Sequence, residues 1–302
     1  GLALEGGSEE RKLPDIVGGH NVRLPWFNSW SEDSNFVDVF LKGEQTVNWT
    51  ATPSADWIRL SESSGSLSNA FMDKQQRVWV HIDREKLPDQ KHVSGNVRFE
   101  GNGRKLTIGV RVYNPELTEA AKNASFLEES RLISIHAENY SNKTDQPGSF
   151  WKDLYGLGYT GHSVTTGPLV DYELPDTENL SDEAPALEYD FYSFSDGKAK
   201  VQVHCIPTHP INTHYSMRLG IGMDDQEPVV LDHRTFGRTE EWKQNVLSNQ
   251  TVLEASFDLK QSGKHVLKLY GVDPGMIVDR ITIRFGNDQK AYGVIPETRW
   301  SE

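Results

Sequence analysis

Three regularly spaced histidines are the first residues whose type could support chemistry. His204, His209 and His214 are five residues apart, and three imidazoles can bind Zn²⁺. Pro207 and Pro210 lie between them and prevent a helix, while a spacing of five does not place strand residues on one face. We therefore interpret them as separate loop and strand histidines.

An acidic pair and a glycine pattern also resemble reactive sites. Asp224 and Asp225 are adjacent, whereas a glycosidase needs two carboxylates that face one bond across about 5–10 Å. Adjacent strand residues point to opposite faces, so this pair is interpreted as a turn. Residues 156–161 match Gly-x-Gly-x-x-Gly, but a dinucleotide site needs that pattern between a strand and a helix.

Aromatic residues in glycine-rich or polar loops are the stronger candidates for binding. Trp151, Tyr155 and Tyr159 lie in one glycine-rich segment, and Trp242 lies in the polar segment 240–245. A flat aromatic face is a large apolar surface that can stack on the C–H face of a sugar ring. These four residues are the predicted carbohydrate contacts. The alternative is that both loops pack onto the protein.

The first part of the chain has the pattern of a small β-sandwich. Residues 1–30 are predicted to form an irregular lead-in, and residues 31–115 an immunoglobulin-like β-sandwich. Apolar and polar residues alternate clearly in 77–82 and 106–112. Trp49, Trp57 and Trp79 fall in predicted strands and are expected in the core. The predicted strands are 36–41, 46–52, 57–60, 77–83, 95–99 and 106–112.

The second part is predicted to be a larger all-β domain. Residues 116–131 form the expected linker, with a helix over 116–129, and residues 132–302 are long enough for a jelly-roll β-sandwich. The acidic segment 171–183 is predicted to be an exposed loop. Its predicted strands are 132–136, 186–194, 199–206, 216–223, 252–258, 265–270 and 279–285.

Composition supports two globular domains and disfavours two classes of partner. The chain has 302 residues, of which 36% are hydrophobic, and a net charge of −13. Residues 1–115 hold 14 basic and 15 acidic side chains, while the remainder holds 17 and 29. A strongly acidic half repels phosphate backbones, which argues against nucleic-acid binding. Membrane binding is disfavoured as well, because the chain contains no apolar run of about 20 residues.

Cysteine and asparagine usage bears on the compartment. Cys205 is the only cysteine, which excludes intrachain disulfides and thiolate clusters, and we expect it to be buried in a strand. Sequons of the form Asn-x-Ser/Thr suit a secreted eukaryotic protein, although they also arise by chance. The six sequons begin at Asn48, Asn123, Asn139, Asn142, Asn179 and Asn249.

Ordered sequence blocks resemble glycoside hydrolase family 115. Residues 1–6, 24–27 and 36–40 look like the stretch that follows the helical domain in that family. The block from Trp49 to Gly65 resembles the immunoglobulin-like BACON domain of carbohydrate-active proteins. Further blocks are similar to the C-terminal domain of the family: 133–140, 151–161, 207–210, 223–225, 263–265, 272–275 and 292–297.

The resemblance implies a part of a xylan-debranching enzyme. Members are xylan α-glucuronidases that remove (4-O-methyl-)glucuronic acid, with catalytic machinery upstream of this region. A catalytic barrel of about 250 residues does not fit beside two sandwiches. The chain is therefore expected to be a non-catalytic, secreted or periplasmic accessory region that supports the upstream domains, with homodimer contacts and xylan or glucuronoxylan as partners. The alternatives are an independent carbohydrate-binding module and a complete small enzyme.

A structural calcium ion is a further implication of resemblance. The second domain resembles carbohydrate-binding modules of families 6 and 35, in which acidic residues of two strands hold calcium. Glu138 and Asp279 match those positions, whereas His136 replaces an acid that often precedes them. Imidazole is a poor ligand for an ion that prefers several hard oxygens. No other cofactor is expected.

Overall fold

A computed structural model describes residues 1–5, 22–31, 34–286 and 295–300. The chain divides into two compact units, of which the first contains Gly1–Glu116 and the second Leu117–Asp288 with Ile295–Glu302. Each unit consists of two β-sheets around a main hydrophobic core, which confirms the predicted all-β class with two β-sandwiches. Within the described residues, no helix is long and apolar enough to span a membrane.

The described residues of the first unit form nine strands. One sheet has the order β1-β3-β7-β5 and the other the order β2-β9-β8-β4-β6. Buried valines on β7 and β9 alternate with outward polar residues, as a half-buried strand requires. The strands are β1 (Leu2–Leu4), β2 (Phe27–Asn28), β3 (Asn35–Phe40), β4 (Val47–Pro53), β5 (Ile58–Leu60), β6 (Ser64–Leu67), β7 (Gln75–Ile82), β8 (His92–Gly101) and β9 (Arg104–Tyr113).

The sequence predicted an irregular lead-in over residues 1–30, but parts of this segment form strands. Strand β1 pairs with β3, and β2 runs parallel to β9. Leu2, Leu24 and Phe27 are buried in the core of the first unit. Strands of two or three residues are too short to show an alternation pattern. The glycines and prolines of this segment therefore led to the prediction of irregular structure.

The three tryptophans of the first unit that were predicted to lie in core strands differ in burial. Trp49 and Trp57 lie in the core as predicted, but Trp79 is 37% exposed. The register of β7 directs its neighbours Val78 and Val80 inward, so Trp79 lies on the outer face. The prediction of a core position for Trp79 is therefore wrong.

In the part of the second unit that the structure describes, there are twelve strands and three short helices. One sheet has the order β10-β15-β20-β17-β18 with β12 on β15, and the other the order β13-β14-β21-β16-β19 with β11 on β21. The strands are β10 (Phe126–Leu127), β11 (Leu132–His136), β12 (Asn142–Thr144), β13 (Phe150–Tyr155), β14 (His162–Gly167), β15 (Ala186–Ser193), β16 (Gly197–Cys205), β17 (Arg218–Met223), β18 (Val229–Asp232), β19 (Thr251–Leu259), β20 (Gly263–Gly271) and β21 (Ile277–Phe285). The helices are α1 (Glu119–Lys122), α2 (Leu180–Glu183) and α3 (Glu240–Leu247).

The alternation on β16 and β21 positions the residues discussed below. Val201 and Val203 of β16 and Ile281 and Ile283 of β21 point into the core. The intervening residues of both strands therefore lie on the outer face of the sheet. Cys205 is buried as predicted, and burial raises the pKa of its thiol to about 12.

Helices are shorter or elsewhere than the sequence predicted. The linker helix spans only Glu119–Lys122 and is capped by the Thr118 hydroxyl. Segment 240–245, predicted to be a polar loop, is part of α3 instead. The acidic segment 171–183 contains α2 and buries the side chains of Tyr172 and Leu180, so it is not wholly an exposed loop.

Candidate functional site

Trp151 lies in the core of the second unit. Its side chain is 1% exposed, and its indole Nε1 donates a hydrogen bond to the carbonyl of Pro185 at 2.9 Å. The residue occupies an inward position of strand β13 and not a loop. Because no ring face is accessible, Trp151 cannot stack on a sugar. The prediction of a carbohydrate contact is wrong for this residue.

Tyr155 and Tyr159 are exposed at the β13–β14 hairpin. Their exposures are 74% and 65%, and the Tyr155 ring meets His162 edge-on with centroids 5.3 Å apart. Gly156, Gly158 and Gly161 have positive φ, as a tight hairpin turn requires. The glycine pattern therefore shapes a β-hairpin and not a strand-to-helix phosphate loop. Both tyrosines remain predicted sugar contacts.

Two carboxylates converge on the turn that carries Tyr159. Asp279 Oδ1 accepts a hydrogen bond from the Tyr159 backbone N–H at 2.7 Å, and Glu138 Oε1 accepts one from the Thr160 hydroxyl at 3.0 Å. A Cβ atom at residue 158 would lie 2.3 Å from Asp279 Oδ1, so the close approach requires glycine there. The turn is therefore held against β21 through Asp279.

The residues present fit the carboxylate part of a calcium site. Glu138 Oε2 is buried without a hydrogen-bond partner, which leaves one hard oxygen unsatisfied. Together Glu138 and Asp279 supply at most four oxygens, fewer than the six to eight that Ca²⁺ takes. The described residues contain no group of three or more His, Cys, Asp or Glu suited to a metal ion. Backbone carbonyls and water would have to complete the shell.

Arg280, Gln250 and His204 form a polar group beside this turn. Arg280 Nη2 donates to Gln250 Oε1 at 3.1 Å, and His204 Nδ1 lies 2.9 Å from the same oxygen. Since Gln250 Oε1 can only accept, His204 carries its proton on Nδ1. Its Nε2 is then unprotonated, and this atom is buried without a hydrogen-bond partner.

Burial controls the charge state of this group. It lowers the pKa of His204, assisted by the positive charge of Arg280, so the imidazole is neutral at pH 7. Burial likewise lowers the pKa of Arg280, although a guanidinium stays charged at any ordinary pH. Sequence reasoning missed Arg280 and Gln250, which are 30 residues apart and belong to no motif. The sequence signal for Arg280 was its place as a charged residue between apolar positions of a predicted strand.

Trp242 is half-buried on α3. Its ring stacks on His209 with centroids 5.9 Å apart and an interplanar angle of 7°, so one face is already covered. The Thr239 hydroxyl caps this helix by accepting from the Trp242 N–H. Trp242 remains a predicted sugar contact through its second face, and the structure does not bring it into contact with Tyr155 or Tyr159.

The remaining sequence candidates have structural partners. His204 contacts Gln250, His209 stacks on Trp242, and the backbone N–H of His214 donates to the Asn212 side chain. Asp224 lies in a turn with φ +52°, as predicted.

The family match covers the second unit. A model of the glycosyl hydrolase family 115 C-terminal domain matches residues 125–297, which is more than half of the chain. The chain belongs to this family. Every residue of the site just described lies within the matched range, whereas Gly1–Glu116 lie outside it. A search of curated proteins gave no match.

Solved structures similar to this GH115 C-terminal domain chain include an enzyme and two binding modules. A family GH115 4-O-methyl-α-glucuronidase with specificity for decorated arabinogalactans is 23% identical, with a TM-score of 0.37, over 49% of this chain and 18% of that chain. The C-terminal family 6 module of a laminarinase from Zobellia galactanivorans is 16% identical, with a TM-score of 0.31, over 51% and 99%. A family 35 module from Clostridium thermocellum is 14% identical, with a TM-score of 0.32, over 50% and 96%. The matched part of this chain corresponds to less than a fifth of the glucuronidase.

Proposed function

We propose that this chain is the non-catalytic accessory region of a secreted or periplasmic xylan α-1,2-(4-O-methyl)glucuronidase. The family match over residues 125–297 is the observation that carries the proposal. The two sandwiches support the upstream catalytic domains of the same polypeptide and contribute to homodimer contacts. Catalysis takes place on upstream sequence, and the immunoglobulin-like first sandwich acts as a structural spacer.

Contact with the polysaccharide is the second part of the proposal. Tyr155 and Tyr159 present exposed rings on a turn whose backbone is fixed by Asp279. A turn whose backbone is already fixed loses less conformational entropy when a sugar binds to it. Trp242 adds a third ring with one open face. A structural calcium ion held by Glu138 and Asp279 would further rigidify the turn.

An independent carbohydrate-binding module is the alternative function. In that case the chain tethers an enzyme to glucuronoxylan and needs no catalytic partner to do so. The exposed tyrosines on one hairpin favour it, because they leave aromatic rings accessible to a sugar. The strongly acidic second unit disfavours it, because long-range repulsion opposes encounter with an anionic polymer.

Affinity electrophoresis on glucuronoxylan separates these functions. The 302-residue chain is run in gels with and without polymer, beside its Tyr155→Ala/Tyr159→Ala variant. Retardation that the double variant abolishes supports a binding module, whereas unretarded migration leaves the scaffold role. A glucuronic-acid release assay on the same chain must show no turnover, since turnover by this chain alone would overturn both proposals.

A further inference from the structure

Arg111 is a half-buried cation on the outer face of β9, and no anion of the described residues is paired with it. Its guanidinium lies over the Trp26 ring, 4.3 Å from the ring centroid, and its Nε is buried without a hydrogen-bond partner. Burial lowers the pKa of Arg111, and the positive charge of Arg23 lowers it further. A charge taken partly out of water without an anion is costly, so this position favours an anion from another molecule.

Arg23 adds a second positive charge beside Arg111. Residue 23 forms a parallel bridge with Gly109 of β9, and a Cβ atom at Gly109 would lie 2.8 Å from Arg23 Cγ. The arginine stem therefore crosses β9 in the space that a side chain at residue 109 would take. Gly109 and Arg111 are alternate residues of one strand, so they share the outer face about 7 Å apart. The two guanidinium groups thus belong to one region of this face.

The acid on this face of β8 and β9 is already paired with other cations. Glu100 lies opposite Lys105 at the far end of the two strands, 2.7 Å from Arg98 and 3.5 Å from Lys105. The residues of β8 nearest to the arginines are uncharged, since Ser94 lies opposite Arg111 and residue 96 is an asparagine. The potential around Arg23 and Arg111 is therefore positive.

Aromatic rings surround Arg111 on the same side. The His92 ring meets Trp26 edge-on with centroids 6.0 Å apart and lies 5.4 Å from the Tyr113 ring. Arginine, tryptophan and tyrosine are enriched at the energetic centres of protein interfaces. Small-ligand sites are concave pockets, whereas these residues lie along the outer face of a sheet, which favours a protein partner. We call this set the arginine surface, and its members are Arg23, Trp26, His92, Arg111 and Tyr113.

Segment 171–183 of the second unit has the complementary charge. Glu183 Oε2 accepts a hydrogen bond from the Asp176 N–H at 3.0 Å, and the Leu180 side chain is buried, so the path of the segment is fixed. Leu174 is 45% exposed among the acids and offers an apolar contact. Six exposed acidic side chains of the segment form no ion pair with the described residues: Asp171, Glu173, Asp176, Glu178, Asp182 and Glu183.

We propose that the arginine surface of one copy of this chain binds segment 171–183 of a second copy, with Arg23 and Arg111 paired to its carboxylates and Trp26 against Leu174. Each side lacks its counter-ion within the described residues of one chain, and each bears like charges whose repulsion the contact relieves. A two-fold dimer makes the contact twice, because each copy offers both sides. This inference rests on the homodimer contacts of the proposed function and names the residues that form them.

Sedimentation velocity of the 302-residue chain over a hundredfold range of concentration measures the dimer. We expect a monomer–dimer equilibrium that weakens with added salt, because exposed charge pairs are screened. Arg23→Glu/Arg111→Glu should reduce the dimerisation affinity at least tenfold, and so should Glu178→Lys/Asp182→Lys. The side chains of Glu178 and Asp182 accept no hydrogen bond from the described residues, so their exchange preserves the contacts that fix the segment.

Mixing the two double variants is the most specific arm of the experiment. Each variant alone should be monomeric at concentrations where the unmodified chain dimerises. In the mixed dimer the new glutamates of one copy meet the new lysines of the other, and the second contact is the unmodified one, so dimerisation should return. Lys74→Glu/Arg84→Glu is the matched control, because it makes the same charge change at exposed residues that flank β7 and must leave affinity within twofold.

A single variant keeps the test decisive if Arg23→Glu/Arg111→Glu fails to fold. Arg23→Glu changes only an exposed side chain and should still lower the dimerisation affinity. A chain that stays monomeric over the whole range overturns this inference together with the proposed homodimer contacts, while the accessory role is judged separately by the glucuronic-acid release assay. A dimer that neither double variant weakens, or a mixture that stays monomeric, overturns this surface and leaves the proposed function standing.

Discussion

Arg218 and Arg280 occupy half-buried positions in the same unit but have opposite partners. Arg218 Nε and Nη2 bind Asp273, which is 0% exposed and also accepts from the Arg218 backbone N–H. Arg280 donates a hydrogen bond to the neutral Gln250, and no carboxylate among the described residues forms an ion pair with it. The ion pair of Arg218 with Asp273 neutralises both charges and fixes the segment after β20. The arrangement at Arg280 leaves the guanidinium without an ion pair to any of the described residues.

Trp151 and Tyr159 repeat this contrast among the aromatic residues. Trp151 is buried and its indole N–H is satisfied by Pro185, whereas the Tyr159 ring projects from a fixed backbone into solvent. The two pairs together distinguish residues that hold the fold from residues available to a ligand. Residue type alone does not make this distinction, because one pair consists of two arginines and the other of two aromatic residues.

The largest effect is expected from Trp151→Ala. Loss of a fully buried tryptophan creates a cavity and leaves the Pro185 carbonyl without its donor, so the free energy of unfolding should fall by about 4 kcal/mol. Urea denaturation measures it. Tyr159→Ala is the control and should change stability by less than about 0.5 kcal/mol. Similar losses in both variants would contradict the division between them.

Asp273→Asn sharpens the comparison of the two arginines. It leaves Arg218 without its anion, and breaking such a pair costs about 3 kcal/mol. Arg280→Gln, measured in the same urea titration, should cost less than about 1 kcal/mol because no ion pair is lost. If Arg280→Gln proved the more destabilising, Arg280 would be a structural residue.

Removal of calcium tests the turn between the two carboxylates. If an ion is bound at about 100 times its Kd, it stabilises the native state by about 2.7 kcal/mol, so a chelator should lower the Tm by several degrees. Glu138→Gln should abolish this response, while Glu254→Gln, which removes an acid paired with Lys200, should retain it. A Tm indifferent to the chelator in the unmodified chain would remove calcium from the proposal.

The smallest effect concerns His265, which is paired with Asp224. Burial acts to lower the pKa of His265, but the hydrogen bond and charge of Asp224 outweigh it and raise the pKa. The pair is 2.8 Å apart, and Nε2 also binds the Gln261 carbonyl. A raised pKa stabilises the fold below about pH 6.5, the unfolded value, and this stability is lost as the pH rises through the folded pKa.

The variant Asp224→Asn isolates that contribution. The difference in unfolding free energy between the unmodified chain and the variant should be on the order of 1 kcal/mol at pH 6 and should shrink by pH 9. Burial acts to raise the pKa of Asp224, but hydrogen bonds from His265 and Val266 lower it, so the difference should also shrink below about pH 4. A difference that is constant between pH 6 and 9 would contradict a charged His265.

Alternation made the long strands predictable from sequence. Strand β11 was predicted with its observed limits, and β16 and β21 within two residues. Buried positions alternate strictly with less buried ones along β16, whereas β11 and β21 each contain three consecutive buried residues. Strand β13 was missed because two charged residues, Lys152 and Asp153, interrupt its apolar residues and a glycine-rich turn follows. This strand places Trp151 in the core, so the residue stabilises the fold and is not a surface contact. Thr239 before two glutamates was an overlooked start signal for α3.

The candidate site was only partly predictable. Tyr155, Tyr159, Glu138 and Asp279 were all named from sequence, but their mutual arrangement depends on a hairpin turn folding back to β21. Arg280 and Gln250 meet because β21 and β19 flank β16, a pairing between distant segments that no local pattern encodes. Which arginine lacks an anion is decided by that pairing.

The contact between residue 158 and Asp279 has a practical consequence for altering specificity. Because the main chain there touches the carboxylate, the path of the turn is set independently of the neighbouring side chains. Residue 159 can therefore be exchanged for rings of other sizes, or for none, with its Cα left where it is. A small library at this one position, built on an unchanged glycine, would tune ligand preference without redesigning the loop.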